Sequence, residues 1–171
     1  MGQFESTYQV LFVCTGNTCR SPMAEGILRK LIGHLPEGAA SVEVLSAGTM
    51  GSAGMPATDL AIAVAADYGV DLRAHRSCVL TPEMLDRADL VLTMSAEHYE
   101  ICRSMGKPPA QLFMAQSFPD QTTDRRRASI PDPVGGSRPD YERVFFQIDE
   151  AIRRSLPALL KRAGITHPES S

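Results

Sequence analysis

The sequence predicts an α/β fold in three layers, in which a four-stranded parallel sheet is covered by helices on both faces. Short apolar runs of four or five residues, typical of buried strands, alternate with longer segments in which apolar residues recur every three or four positions, as in amphipathic helices. With 171 residues, 43% of them hydrophobic and 22% charged, the chain also has the size and composition of one globular domain.

The first strand is predicted at residues 9–13, an apolar run. A helix follows, because Pro22 suits a first helical turn and Ser21 before it is a natural N-terminal cap. The apolar stripe of this helix is formed by Met23, Ile27 and Leu31. We expect the helix to run to about residue 35 and to end at the Pro-Glu-Gly of residues 36–38.

Three further strands are predicted at residues 42–45, 90–94 and 111–114. Helices are predicted at residues 57–68, in a short segment from residue 81, and at residues 95–105. Gly69 is expected to end the first of these in a left-handed conformation. A last helix begins near Pro139, and Pro157 is expected to kink or interrupt it. Residues 115–138 form a polar loop whose length is typical of functional or mobile loops.

Composition limits the possible partners. The net charge of −3 gives no reason to expect a nucleic-acid partner, and no apolar run approaches the length of a membrane span. Four cysteines without a small disulfide framework favour reduced thiols in a cytoplasm. We expect one domain over residues 1–165, a disordered tail over residues 166–171, and a monomer or weak dimer. No metal or other cofactor is predicted, since His34, His98 and His167 lack ligand spacing with cysteines or carboxylates.

Residues 14–22, Cys-Thr-Gly-Asn-Thr-Cys-Arg-Ser-Pro, connect the first strand to the first helix and carry the chemistry. Backbone N–H groups in a loop that ends at a helix N-terminus bind anions, and the guanidinium of Arg20 can bind phosphate bidentately. The positive electrostatic potential of these N–H groups and of Arg20 should also lower the pKa of Cys14 below its ordinary value of about 8.5. This arrangement indicates phosphoryl transfer through a phosphocysteine. The alternative is a buried structural cysteine with a surface arginine nearby.

The whole stretch, with the strand before it and Met-Ala-Glu after it, resembles the low-molecular-weight protein tyrosine phosphatase family. Its loop is most similar to that of the bacterial protein-arginine phosphatases, and the resemblance extends over residues 9 to about 163. It implies a cysteine-dependent enzyme that hydrolyses phosphorylated side chains of proteins. It also implies that phosphate is bound by Thr15, Gly16, Asn17, Thr18, Cys19 and Arg20.

The resemblance implies three kinds of role beyond phosphate binding. Asp132, held between two prolines, matches the general acid of the family, although in isolation it would be an ordinary turn residue. The positions that match a polar network supporting the loop are Asn17, Ser21, Ser46 and His75. Cys19 matches the partner of Cys14 in a reversible disulfide; alternatively it packs behind the loop.

Position 18 bears on the choice of substrate. Family members that act on phosphotyrosine commonly carry Ile there, whereas Thr18 resembles the arginine phosphatases, in which the hydroxyl contacts a guanidinium. Residues 49–56 lack the aromatic that usually clamps a phenol ring, and residues 135–137 keep the Gly-Gly-Ser of the arginine enzymes. Val134, however, stands where those enzymes usually have an aromatic. The sequence therefore favours phosphoarginine and leaves phosphotyrosine open.

Two functions of other classes are less compatible with the sequence. A thioredoxin-coupled arsenate reductase has a similar loop but needs a relay of cysteines after the third strand, where this chain has Met94. A phosphopeptide-binding module without catalysis would have no reason to keep both Cys14 and Asp132. The three arginines of residues 125–127 either steer acidic substrates or form a solvated loop.

Overall fold

The computed structural model describes residues 7–35 and 41–165, so the predicted helix end at residues 36–38 and the tail at 166–171 lie outside it. Its four strands are β1 (Tyr8–Cys14), β2 (Val42–Gly48), β3 (Leu90–Thr93) and β4 (Leu112–Met114). They form one parallel sheet in the order β2-β1-β3-β4. The helices are α1 (Arg20–Gly33), α2 (Asp59–Asp67), α3 (Pro82–Arg87), α4 (Ala96–Ser104) and α5 (Arg138–Arg162). The predicted fold class is confirmed.

The alternation of side chains along β1 separates two apolar cores. Val10 and Phe12 belong to the core beneath α1, α2 and α5, whereas Leu11 and Val13 belong to the core beneath α3 and α4. All four are fully buried, and burial of each such side chain contributes about 1.5–3 kcal/mol. The central strand is therefore fixed from both sides, and the position of its last residue, Cys14, is fixed with it.

Two helix ends differ from the sequence prediction. Ser21 was expected as the cap of α1, but the helix begins two residues earlier, with Cys19 at the cap position, and the Ser21 hydroxyl contacts Cys14 instead. Pro157 does not interrupt α5, which continues through it to Arg162. Because Leu159 and Leu160 beyond the proline are buried, at about 1.5–3 kcal/mol each, they offset the roughly 3 kcal/mol that a proline costs inside a helix. The left-handed Gly69 is confirmed, at φ 76°.

The carboxyl end of the sheet brings two chain segments into close contact. Cys14 and Gly48 are register partners at the ends of β1 and β2. A Cβ atom at Gly48 would lie 2.5 Å from the carbonyl oxygen of Thr15 and 3.0 Å from that of Met50. The loop after β1 can therefore lie this close to β2 only because residue 48 has no side chain.

We predict that Gly48→Ala lowers the free energy of unfolding by about 1–3 kcal/mol, because the added methyl group meets backbone that cannot rotate away. Gly33→Ala is the matched control, since a Cβ there meets nothing within 4 Å and alanine favours a helix by up to about 1 kcal/mol over glycine. Urea unfolding of both variants measures the difference. Equal stabilities would show that the close approach at residue 48 does not constrain the loop.

Candidate active site

The loop of residues 14–20 turns its carbonyl groups outward. The carbonyls of Cys14 and Thr15 accept the backbone N–H groups of Thr49 and Met50, each at 2.9 Å, and a third loop carbonyl, at residue 18, accepts that of Thr58 at 3.0 Å. Since C=O and N–H point in opposite directions across a trans peptide, the N–H groups that follow these carbonyls face the loop interior. The result is a concave row of donors suited to an anion.

Asn17 holds this loop in shape. It is buried and is left-handed at φ 55°, a conformation that asparagine tolerates better than most residues. Its side-chain amide donates to Ser21 Oγ at 2.8 Å and to Ser46 Oγ at 2.9 Å, and its Oδ1 accepts the N–H of Cys78 at 2.9 Å. His75 Nε2 donates to the Asn17 carbonyl at 2.7 Å. The four residues predicted to form a polar network are thus in direct contact.

Glu25, on α1, extends the network beyond the predicted set. Its Oε2 accepts the Ser46 hydroxyl at 3.1 Å and lies 3.6 Å from His75 Nδ1. The carboxylate therefore fixes the orientation of both side chains behind the loop. The sequence placed Glu25 in the motif, but nothing in its spacing indicated this contact.

Cys14 lies at the base of the loop and is 2% exposed. Its Sγ is 2.8 Å from Ser21 Oγ. Burial raises the pKa of the Cys14 thiol, whereas the Ser21 hydroxyl and N–H, the Arg20 charge and the Asn17 N–H lower it. The expected net lowering was therefore wrong for this arrangement, because removal of the sulfur from solvent outweighs the donors that surround it.

Arg20 and Asp132 meet above the loop. The Arg20 guanidinium donates to the carbonyl of Ile130 at 2.9 Å and to Thr15 Oγ1 at 3.3 Å, and it lies 3.4 Å from Asp132 Oδ2. The other Asp132 oxygen accepts the N–H of Val134 at 3.1 Å. The carboxylate is about half exposed while the guanidinium is buried. Residues 14, 20 and 132 therefore bring a thiol, a cation and a carboxylate to one end of the sheet.

The sequence profile described as low molecular weight phosphotyrosine protein phosphatase matches residues 9–164. The chain belongs to this family. Among relatives, the protein-arginine-phosphatase of Bacillus subtilis (strain 168) is 34% identical over 153 residues, which cover 89% of this chain and 97% of the relative. A probable low molecular weight protein-tyrosine-phosphatase, EpsP of Ralstonia nicotianae, is 44% identical over 151 residues, covering 88% and 94%.

A solved structure adds chemical information about the family. It is a cysteine-to-serine mutant of the YwlE arginine phosphatase with a phosphorylated active-site serine, and it matches with a TM-score of 0.74 and 31% identity over 90% of this chain and 95% of that chain. The chain is thus a hydrolase of the phosphatase class, whose relatives act on phosphorylated proteins.

No helix within residues 7–35 and 41–165 is long and apolar enough to cross a membrane.

The two residues predicted to select the substrate are both accessible to solvent. Thr18, within the loop, is partly exposed, and Val134 is exposed in the Asp132 segment. Met50 and Met55 are the exposed large apolar residues of the 49–56 loop. The described part of the chain contains no group of three His, Cys, Asp or Glu side chains placed to hold a metal ion.

Cys19 is a free thiol in this structure and is not bonded to Cys14. Its Sγ lies 3.3 Å from Thr58 Oγ1 and 3.5 Å from the hydroxyl of Tyr141, and those two oxygens are 3.2 Å apart. Packing behind the loop, one of the two expectations for Cys19, matches these contacts. They join the loop to α5 and to the cap of α2, which the sequence did not indicate.

His98 was considered only as a metal ligand, yet it contacts the loop. Its Nε2 lies 2.8 Å from Thr15 Oγ1.

The first of the three arginines at residues 125–127 packs against the protein: Arg125 lies 4.0 Å above the Tyr99 ring and contacts Glu100. Steering of substrates could involve only the two exposed arginines that follow it.

We predict that Ser21→Ala slows alkylation of Cys14 by iodoacetamide about tenfold at pH 7, because a hydrogen bond to a charged group is worth about 1.5–3 kcal/mol and here it favours the thiolate. The pH midpoint of the alkylation rate should move upward. Tryptic mass spectrometry assigns the label to Cys14, and Ser104→Ala, at an exposed position of α4, is the control. An unchanged rate would show that the Ser21 hydroxyl does not act on the sulfur.

Proposed function

We propose that this phosphatase hydrolyses phosphoarginine in proteins, with Cys14 as nucleophile, Arg20 as phosphate ligand and Asp132 as general acid. The observation that carries the proposal is the position of Cys14 Sγ at the base of a loop whose carbonyls face outward and whose N–H groups face inward. Such a loop stabilises the extra negative charge of a phosphoryl group in the transition state.

In the first step the Cys14 thiolate attacks phosphorus, and the bond from phosphorus to the guanidino nitrogen breaks. The electron pair of that bond goes to the nitrogen, which takes a proton from Asp132. In the second step the Asp132 carboxylate accepts a proton from water as the water oxygen attacks phosphorus. The sulfur–phosphorus bond then breaks, which releases phosphate and restores the thiolate.

The remaining residues of the site either bind the phosphate or hold the loop in shape. We assign phosphate binding to the N–H groups of residues 15–19, together with the Arg20 guanidinium. The residues that hold the loop in its binding conformation are Asn17, Ser21, Ser46 and His75. Support of this kind is needed because a left-handed asparagine would relax if its buried contacts were lost.

Thr18 supports phosphoarginine as the substrate. Thr18 is a partly exposed residue of the loop, and we infer that its hydroxyl accepts a hydrogen bond from a guanidinium attached to the bound phosphoryl group. The arginine phosphatase among the relatives is similar over nearly its whole length. We further propose that the enzyme acts in the cytoplasm, as its four free thiols favour, and as a monomer or weak dimer.

Phosphotyrosine is the second candidate, and the exposed apolar side chains of Val134, Met50 and Met55 near the site favour it. An aromatic ring would bury apolar surface against them, at about 25 cal/mol per Å². The relative named for tyrosine, EpsP, is 44% identical to this chain, against 34% for the relative named for arginine. Two substitutions test these assignments: one at Asp132, the proposed acid for the leaving group, and one at Thr18, the proposed selector of the substrate.

We predict that Asp132→Ala lowers kcat about 10²–10⁴-fold on phosphotyrosine, since the tyrosyl leaving group, with a pKa near 10, departs poorly without a proton. The loss should be much smaller on an activated aryl phosphate whose leaving group needs no proton. Asp120→Ala, at an exposed position of the same loop, is the matched control. Equal losses on both substrates would assign Asp132 a structural role.

We predict that Thr18→Ile lowers kcat/KM on phosphoarginine and raises it on phosphotyrosine, and so inverts the preference. The two side chains are both β-branched, so the backbone should be unaffected, while the hydroxyl is replaced by a larger, apolar ethyl group. Contact between the isoleucine side chain and the phenyl ring of phosphotyrosine should contribute roughly 1 kcal/mol to binding. Both specificity constants are measured at one pH for wild type and variant, with Cys14→Ser as the inactive control. A ratio that does not move, or a wild type that prefers phosphotyrosine, would contradict the arginine assignment.

A further inference from the structure

His98 is a buried histidine for which the reaction described above has no use. It lies in the first turn of α4 and is 1% exposed. One ring nitrogen, Nδ1, is 2.9 Å from Ser95 Oγ, the cap of its own helix, and the other, Nε2, is 2.8 Å from Thr15 Oγ1 in the phosphate loop. Both polar atoms of the ring are therefore committed, one to the scaffold and one to the loop.

The contact continues from Thr15 to the cation of the site. Thr15 Oγ1 also accepts the NH2 group of Arg20 at 3.3 Å. A hydroxyl oxygen has two lone pairs and one proton, so it can serve both neighbours at once. The other guanidinium contacts, to the Ile130 carbonyl and to Asp132, come from a loop rather than from the sheet. The Thr15 hydroxyl thus ties Arg20 to the end of β1.

The charge state of His98 is set by its burial and by the charged groups near it, Arg20 and Asp132. Burial and the nearby Arg20 charge lower the pKa of His98 to about 4, against a smaller opposite effect of Asp132. The ring is therefore neutral at pH 7. It adds no charge to the anion site, and any contribution that it makes there comes from orientation.

We propose that His98 is a positioning residue for phosphate binding. Anchored at Ser95, it fixes Thr15 Oγ1 where that oxygen holds Arg20 NH2 and so sets the plane of the guanidinium. The inference rests on the proposed function in that the anion it serves is the phosphoryl group of the substrate. Its own test, however, measures anion binding and needs no turnover.

A pair of amide substitutions separates orientation from packing. In His98→Gln the amide nitrogen can reach the place of Nε2 and keep the contact with Thr15, whereas in His98→Asn the shorter side chain reaches only the place of Nδ1. Both replace the ring by a smaller neutral amide. Thr15→Val removes the hydroxyl and keeps the β-branched shape. His34→Asn, at the exposed C-cap of α1, is the control for a lost histidine.

The measurement is the dissociation constant of vanadate, and of inorganic phosphate, at pH 7 for variants whose thermal unfolding shows that they are folded. His98→Asn should bind vanadate about tenfold more weakly, the effect of one buried hydrogen bond, and His98→Gln should stay within about threefold of wild type. If Asn and Gln weaken binding equally, or if Asn leaves it unchanged, His98 acts only in packing and the proposal is wrong.

A double-mutant cycle tests the route through Thr15. Adding His98→Asn to Thr15→Val should cause no further loss of affinity, because the partner is already gone. If the two substitutions instead weaken anion binding independently, so that their fold-losses multiply, His98 does not act through Thr15. A wild type that binds vanadate and passes these tests but hydrolyses neither phosphoarginine nor phosphotyrosine would contradict the proposed function and leave the role of His98 supported. A wild type that binds neither anion would overturn both.

Discussion

The left-handed backbone at Asn17 is the constraint on which the site depends. It turns the loop sharply enough for successive N–H groups to face one centre, and asparagine can hold it because its amide and carbonyl are tied to four other groups. Those partners come from α1, from β2 and from the segment before α3. The loop is therefore held by elements that the sheet itself positions, and its shape is part of the fold.

The same burial that shapes the loop makes its sulfur harder to ionise. Burial raises the pKa of Cys14, while the Ser21 hydroxyl and the Arg20 charge act in the opposite direction. Arg20 also faces the carboxylate of Asp132 at 3.4 Å. In the function proposed here, the Arg20 guanidinium would contact both the phosphoryl group and Asp132, so that one cation links binding of the anion to placement of the proposed acid.

The sequence predicted the elements whose signals are local. Apolar runs located all four strands, and the cysteine, arginine and aspartate were predicted as site residues because each lies in a short pattern with a chemical reason. Contacts between distant segments were missed. His98 lies 83 residues from Thr15, and Tyr141 lies 122 residues from Cys19, and no spacing in the chain indicates either contact. The continuity of α5 through Pro157 was missed for the same reason, since the packing that holds it is tertiary.

Covalent phosphorylation of Cys14 is the step that distinguishes this chemistry from binding alone or from direct attack by water. Rapid quenching of the enzyme in an alkaline denaturant during turnover of phosphoarginine or phosphotyrosine, followed by peptide mass spectrometry, measures it directly. The structure predicts the mass of one phosphoryl group on the peptide that contains Cys14, formed at least as fast as phosphate is released and absent in Cys14→Ser. Phosphate release by wild type with no phosphorylated cysteine at any quench time would contradict it.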